Sequence, residues 1–223
     1  MAVLEGGTSA AVAEVGAGAS SALHTVNKPD PYGALGFYTT SHRCVFANTQ
    51  AANSRLFELQ NAHATNLVVV HRVRVVYSQG STQTANIETS LDMYRCTSFS
   101  VVDTTNTVTP VASKMRTSMG TPGAVLRGVT VAGAAAGMTG GTLTKDTAPV
   151  WQMSCWLLAA IPTAGPSPRF EYLWMPNVAH GEAPLVLVQN EGFIIENRVL
   201  MGAASGGAVY VDVAWSEMAQ GTY

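Results

Sequence analysis

Residues 67–77 read Leu67-Val68-Val69-Val70-His71-Arg72-Val73-Arg74-Val75-Val76-Tyr77, and this stretch decides the fold class. Successive side chains of a β-strand point to opposite faces, so the odd and even positions separate. The odd positions, Leu67 to Tyr77, are apolar apart from His71, and we expect them to face a core. The even positions include Arg72 and Arg74 and are expected on a partly solvated face. His71 is therefore predicted to be a structural histidine.

Similar alternation recurs along the rest of the chain, with turn residues between the alternating segments. It is clear in residues 55–60, 86–96, 169–174 and 208–215. Residues 150–161 are apolar enough for a buried strand or a short helix, and a strand is favoured because no other segment is convincingly helical. About ten short strands in 223 residues predict an all-β protein, a jelly-roll-like β-sandwich with long loops.

Sequence proximity suggests which strands are neighbours. Residues 57–60 and 67–77 are expected to form an antiparallel pair, and residues 67–77 and 86–96 a hairpin-like unit. In that arrangement Glu88 or Asp92 would lie opposite Arg72 or Arg74 and neutralise it.

Residues 1–33 differ from the remainder in composition. Small residues dominate them, and Pro29 and Pro31 exclude a helix at their end. We therefore divide the chain into an extended N-terminal arm, residues 1–33, and a β-sandwich domain, residues 34–223.

Composition limits the classes of function. Charged residues make up 12% of the chain, about half the usual share, which favours a surface covered in an assembly. The net charge of −2 provides no electrostatic footprint for nucleic acid, and no apolar run is long enough to span a membrane. Cys44, Cys96 and Cys155 have no metal-ligand spacing and are expected to be reduced and buried.

No catalytic constellation is present. His24, His42, His63, His71 and His180 lack metal-ligand spacing, and neither a GxSxG elbow nor a phosphate-binding loop occurs. We therefore predict no enzyme, no cofactor, and no catalytic, cofactor-binding or metal-binding residues. Six aromatic residues could line a sugar groove but are interpreted as core: Trp151, Trp156, Phe170, Tyr172, Trp174 and Trp215.

Two segments resemble structural proteins of tailed bacteriophages. One is Lys28-Pro29-Asp30-Pro31-Tyr32-Gly33-Ala34-Leu35-Gly36-Phe37-Tyr38, followed by Phe57 and the strand at 67–76. The other joins Pro184-Leu185-Val186-Leu187, Glu191-Gly192-Phe193-Ile194-Ile195 and the stretch Val209 to Glu217 that ends in Trp215-Ser216-Glu217. The resemblance covers most of the chain and consists of strand and turn patterns, so no functional residue is carried over.

The resemblance implies a capsid cement or decoration protein with a jelly-roll body. The implied partners are the major capsid protein and further copies of the chain in a homotrimer, with no nucleic acid and no membrane. The implied location is the capsid surface of the virion, after synthesis in the host bacterial cytoplasm. A tail or baseplate component, or a carbohydrate-binding receptor module with exposed Trp151 or Trp174, is the alternative. A polysaccharide-degrading jelly roll would need two carboxylates in one groove.

Overall fold

The computed structural model describes residues 3–6, 11–14, 36–46, 50–80, 86–129, 137–159, 169–177, 180–199 and 207–220. Their regular structure is β, which confirms the expected all-β class. Fifteen strands lie in these ranges: β1 Val3–Gly6, β2 Ala11–Glu14, β3 Gly36–Phe46, β4 Ser54–Asn61, β5 Asn66–Gln79, β6 Ile87–Val101, β7 Thr107–Val108, β8 Ser113–Lys114, β9 Ala124–Val129, β10 Thr142–Lys145, β11 Trp151–Leu157, β12 Arg169–Trp174, β13 Leu185–Leu187, β14 Gly192–Asn197 and β15 Gly207–Ala219.

The first two strands form a separate antiparallel sheet in the segment expected to be an arm. Val3 lies opposite Glu14, and Gly6 lies opposite Ala11. The rest of that segment, with Pro29 and Pro31, lies outside the described residues. The other thirteen strands form two antiparallel sheets of seven and six strands, and these sheets make up the sandwich.

The order of strands in the two sheets is that of a jelly roll. One sheet contains the run β3-β15-β5-β12, and the other contains β4-β14-β6 with β11 on the far side of β6. Among these eight strands the first therefore pairs with the last and the second with the last but one. The third pairs with the sixth and the fourth with the fifth. That nesting is produced when one long antiparallel ribbon wraps around a common core, which is the jelly-roll arrangement.

The remaining strands extend or continue these sheets. Strands β9 and β7 continue the seven-stranded sheet beyond β4, and β10 lies beside β6 on the same edge as β11. In the six-stranded sheet, β8 pairs with β3, and β13 shares the β12 edge of β5. Fifteen strands exceed the expected ten. Strands β1 and β2 lie in the segment expected to be an arm, and β7, β8, β10 and β13 are only two to four residues long, too short for clear alternation.

Two expected strand pairings are wrong. Strands β4 and β5 belong to different sheets, as do β5 and β6. Glu88 and Asp92 on β6 therefore do not lie opposite Arg72 and Arg74. In a jelly roll most consecutive strands cross from one sheet to the other, so proximity in sequence does not imply pairing.

A β-bulge at His71 changes the face that β5 presents to the core. Val70 lies opposite Trp215 and Arg72 lies opposite Ala214, so His71 is an extra residue without a partner position on β15. The core residues of β5 are Val68, Val70, Val73, Val75 and Tyr77. The prediction that all odd positions face the core holds only after the bulge, and His71 lies on the outer face.

The core between the sheets is built from β-branched, leucine and aromatic side chains. Trp215 stacks on Tyr38 at 5.6 Å between ring centroids, and Phe57 stacks on Phe193 at 6.0 Å. Trp151 of the seven-stranded sheet stacks on Tyr172 of the six-stranded sheet at 4.6 Å. This last pair joins the sheets at the edge where β11 and β12 lie. The strand preferred for residues 150–161 is confirmed over 151–157, which pair with β6.

Candidate interaction surfaces

The described histidines lie apart from one another. His71 Nε2 is 2.8 Å from Ser216 Oγ, and its ring is 5.5 Å from that of Phe37. His42 Nε2 is 3.4 Å from the Val129 carbonyl oxygen. Burial lowers the pKa of both imidazoles. Among the residues that the structure describes, no group of three or more histidine, cysteine or acidic side chains is placed to hold a metal ion.

A buried ionic network lies on the side of β4 that faces away from the core. Arg55 Nη1 is 2.6 Å from Glu58 Oε1, and Arg55 Nη2 is 3.8 Å from Asp103 Oδ2. Asp103 also accepts hydrogen bonds from the backbone N–H groups of Gly140, at 2.6 Å, and Thr105, at 2.7 Å. Glu58 and Asp103 are 0% and 1% exposed. The network fastens two loops onto the sheet, which is a structural role.

The same network perturbs the protonation of Glu58. Burial raises the pKa of this carboxyl, and the Arg55 guanidinium only partly opposes the rise. Other buried carboxylates of this sheet also have partners within the chain. Lys145 pairs with Glu196, and Asp92 accepts a hydrogen bond from Ser90 Oγ at 2.6 Å.

Four arginines share the outer face of the six-stranded sheet, which we call the arginine face. Arg43 lies opposite Tyr210, Arg74 lies opposite Asp212, and Arg72 lies opposite Ala214. Arg169 lies opposite Ser78 at the β12 edge. Two acids, Asp212 and Glu171, accompany these four cations, so the face carries an excess of positive charge. Arg43, Arg72 and Arg169 are exposed.

Arg74 is held in place at the centre of this face. Its Nε donates to Glu171 Oε1 at 2.7 Å, and its Nη1 donates to Asp212 Oδ2 at 3.2 Å. The hydrogen bond from Arg74 lowers the pKa of Glu171. A shallow groove of about 380 Å³ runs beside these residues and is lined by Ser41, Arg74, Val76, Ser78, Arg169, Tyr210 and Asp212. Tyr210 is 38% exposed at its centre.

An apolar edge adjoins the arginine face, because Leu173 lies directly opposite Arg74. We define the apolar edge as Val150, Tyr172, Leu173, Trp174, Met175 and Pro176, which line a second groove of about 630 Å³ with Glu182 and Ala183. Leu173 is 50% exposed and Met175 is 60% exposed. Strands β11 and β12 lie at the edges of the two sheets on this side of the sandwich, so the exposed apolar side chains lie beside a sheet edge.

The aromatic residues are mostly core, as expected. Trp151 and Trp215 are buried, and Phe170, Tyr172 and Trp174 pack partly buried against the same core. Trp156 is the exception, because it lies exposed on β11. The buried position of Trp151 removes one of the two tryptophans expected to be exposed in a carbohydrate-binding module. Each of the two grooves described above is lined by one carboxylate, Asp212 or Glu182.

Sequence reasoning found Arg72 and Arg74 but missed the arginine face. The contributions of Arg43 and Arg169 come from β3 and β12, which meet β5 only through the jelly-roll order. In β12, Arg169, Glu171 and Leu173 alternate with aromatic residues in the sequence. This alternation indicated that the three residues face outward at this edge.

Comparisons with protein-family models, curated proteins and solved structures gave no match to this chain. The residues that the structure describes include no helix that is long and apolar enough to cross a bilayer. The candidate surfaces are therefore interpreted from their geometry and chemistry.

Proposed function

We propose that this chain is a structural protein of a tailed-bacteriophage virion. In this proposal it is a capsid cement or decoration protein that binds between major capsid protein subunits and stabilises the head. The observation that carries the proposal is the continuous surface made by the arginine face and the apolar edge. Arginine, tyrosine, tryptophan and methionine are enriched in protein–protein interfaces, whereas lysine is depleted, and the defined surface contains no lysine.

The fold and the composition are consistent with this role. Jelly rolls occur in viral capsid proteins, and they also occur in lectins and cupins, so the fold alone does not select a function. A chain with 12% charged residues suits a surface that is extensively covered by neighbours. The resemblance to phage structural proteins supports a capsid role among the roles that this fold permits.

The proposed mechanism is adhesion. Each copy contributes modest apolar and polar contacts, and repetition of those contacts on a symmetric lattice multiplies their effect. A homotrimer would present three equivalent contact surfaces at once. The location that follows is the outer surface of the capsid, reached after synthesis in the bacterial cytoplasm.

Electron cryomicroscopy of the intact particle tests the location. We expect density for the jelly roll at three-fold or quasi-three-fold positions of the head. Density confined to the tail would contradict the capsid role and support a tail or baseplate component.

A binding assay with purified heads that lack the protein tests the surface. Leu173→Asp combined with Met175→Asp should weaken binding about tenfold or more, because two charges would then be desolvated in the contact. Val111→Asp combined with Met115→Asp is the matched control, because both are exposed apolar residues beside β3, at the opposite side of the six-stranded sheet from β12. An equal loss of head binding in the test and control variants would contradict a specific role of the apolar edge in that binding.

The alternative of a carbohydrate-binding receptor module retains one supporting observation. Tyr172 and Trp174 line the groove at the apolar edge, where a sugar ring could stack. Binding of host surface glycans by the wild-type chain, together with tail density, would favour that alternative over cement.

A further inference from the structure

The charge of this chain is divided unevenly between the arm and the sandwich. Residues 1–33 contain Glu5, Glu14 and Asp30 but only one cation, Lys28. This leaves eleven acidic and eleven basic residues in residues 34–223, so the whole net charge of −2 belongs to the arm. The sandwich is neutral in total, yet the arginine face concentrates four of its cations beside two acids.

The arm also has a regular part that suits docking on a sheet. Strands β1 and β2 pair antiparallel, with Glu14 opposite Val3 and Glu5 opposite Val12. Both glutamates therefore lie in the same short two-stranded ribbon. A ribbon of this size buries little by itself and is stabilised by packing against another surface.

The arginine face presents exposed side chains among the residues that the structure describes. Arg43 and Arg72 are exposed, and Tyr210 is 38% exposed between the strands that carry them. Arg74 pairs with Glu171 and Asp212 within the chain. Exposed arginines around a tyrosine are suited to binding a carboxylate-bearing segment.

From this complementarity we infer that the arginine face of one copy binds the acidic N-terminal ribbon, strands β1 and β2, of a second copy. Glu5 and Glu14 of the ribbon pair with exposed arginines of the face, and Tyr210 packs beneath the ribbon. The inference rests on the proposed function for its setting and divides the proposed contact surface between two partners. The apolar edge contacts the head, and the arginine face links copies of the chain to one another.

Charge exchange in the full-length chain tests the contact. Arg43→Glu with Arg72→Glu reverses the charge of the face at its two exposed arginines beside Tyr210, and Glu5→Arg with Glu14→Arg reverses the ribbon. Sedimentation velocity over a concentration series should show association weakened about tenfold or more in each variant, since each exposed ion pair contributes a few-fold and reversal adds repulsion. Combining all four substitutions should restore association, and raising the ionic strength should weaken the wild-type assembly.

Lys114→Glu with Arg116→Glu is the matched control. These residues are exposed at the β8 end of the sheet, and the substitutions make the same change in net charge as the face variant. Unchanged association in this control is expected. Association of the face and ribbon variants equal to wild type, failure of the four-fold variant to recover, or a wild-type chain that stays monomeric would overturn the inference.

Disulfide trapping distinguishes a second copy from the chain's own arm. Two differently tagged full-length chains, one with Glu14→Cys and one with Tyr210→Cys, should form a mixed cross-linked dimer on oxidation. A third chain carries both substitutions. A cross-link that forms within this chain, but not between the two singly substituted chains, would overturn the inference. If self-association fails these tests but the wild-type chain still binds heads, the proposed function stands and only the inference is overturned. If the wild-type chain does not bind heads, the proposed function is refuted, whatever the self-association experiments show.

Discussion

At the scale of single residues, Glu58 is an acid placed where charge is costly. It is fully buried on β4, and Arg55 Nη1 lies 2.6 Å from its Oε1. A carboxyl whose pKa is higher in the folded than in the unfolded chain stabilises the fold below the unfolded pKa. That contribution is lost as the pH rises through the folded pKa.

We expect this linkage to appear as a pH-dependent difference between wild type and Glu58→Gln. From pH 4.5 upward, the free energy of unfolding of wild type should fall relative to that of the variant, because only wild type must ionise a buried acid. Denaturant titrations at a series of pH values measure the difference. A difference that moves in the opposite direction with pH would show that the Arg55 pair outweighs burial.

The thiols of Cys44 and Cys96 provide a second prediction at this scale. Both are free and buried, and desolvation raises the pKa of each to about 12. Because the thiolate is the reactive form, neither should be alkylated by iodoacetamide in the folded protein at pH 8, and both should react in denaturant. Mass spectrometry of the separate cysteine peptides provides the readout. Rapid labelling of either residue in the folded protein would contradict its buried position.

At the scale of elements, β14 depends on a glycine at its first position. Gly192 lies between Gln60 of β4 and Cys96 of β6. A methyl group there would lie 2.6 Å from Phe99 Cδ1 and closer still to the Leu59 carbonyl oxygen, which belongs to the backbone. The strands approach one another too closely for any larger residue.

We therefore expect Gly192→Ala to lower the free energy of unfolding by about 1–3 kcal/mol, the usual cost of overpacking. Gly120→Ala is the matched control, because a methyl group at Gly120 has no neighbour within 4 Å. Calorimetry or denaturant unfolding of both variants measures the effect. A Gly192→Ala variant as stable as the Gly120→Ala variant would mean that β4 and β14 can move apart at little cost.

Strand β5 is the element where local reasoning was partly wrong. Alternation correctly predicted a long strand, but it could not predict the extra residue at His71. A bulge does not change the composition of a strand and only exchanges the faces to which odd and even positions point. Because β5 has valines at both odd and even positions, either set could be predicted to face the core. The bulge also moves His71 outward, where it meets Phe37 and Ser216.

At the scale of the whole molecule, β15 is central to the fold. It pairs with β3 along residues 36–46 and with β5 along residues 66–79, so two strands of the six-stranded sheet depend on it. Deletion of residues 207–223 should therefore abolish folding, because β3 and β5 have no other means of joining. Deletion of residues 1–33 should leave a folded domain with weakened particle binding.

Circular dichroism and thermal unfolding of the two truncated chains test this contrast, and head binding tests the second part. A cooperative thermal transition after loss of residues 207–223 would contradict the central role of β15. Unchanged head binding after loss of residues 1–33 would remove the arm from the adhesive mechanism.

The sequence alone determined the β class and most strand positions, whereas the division into an arm, residues 1–33, and a sandwich domain stays a prediction. The β class and the strand positions follow from local physics: alternation is imposed by the pleat of one strand, and proline and glycine act on their own backbone. That the protein is not an enzyme stays a prediction.

Only the tertiary structure decided which strands are neighbours. The pairing of β3 with β15 joins the two ends of the sandwich domain, and no local pattern encodes such a contact. For the same reason the partners of Arg74 proved to be Glu171 and Asp212 instead of Glu88 or Asp92. The arginine face is assembled from β3, β5, β12 and β15, because the jelly-roll wrap brings segments that are distant in sequence onto one surface.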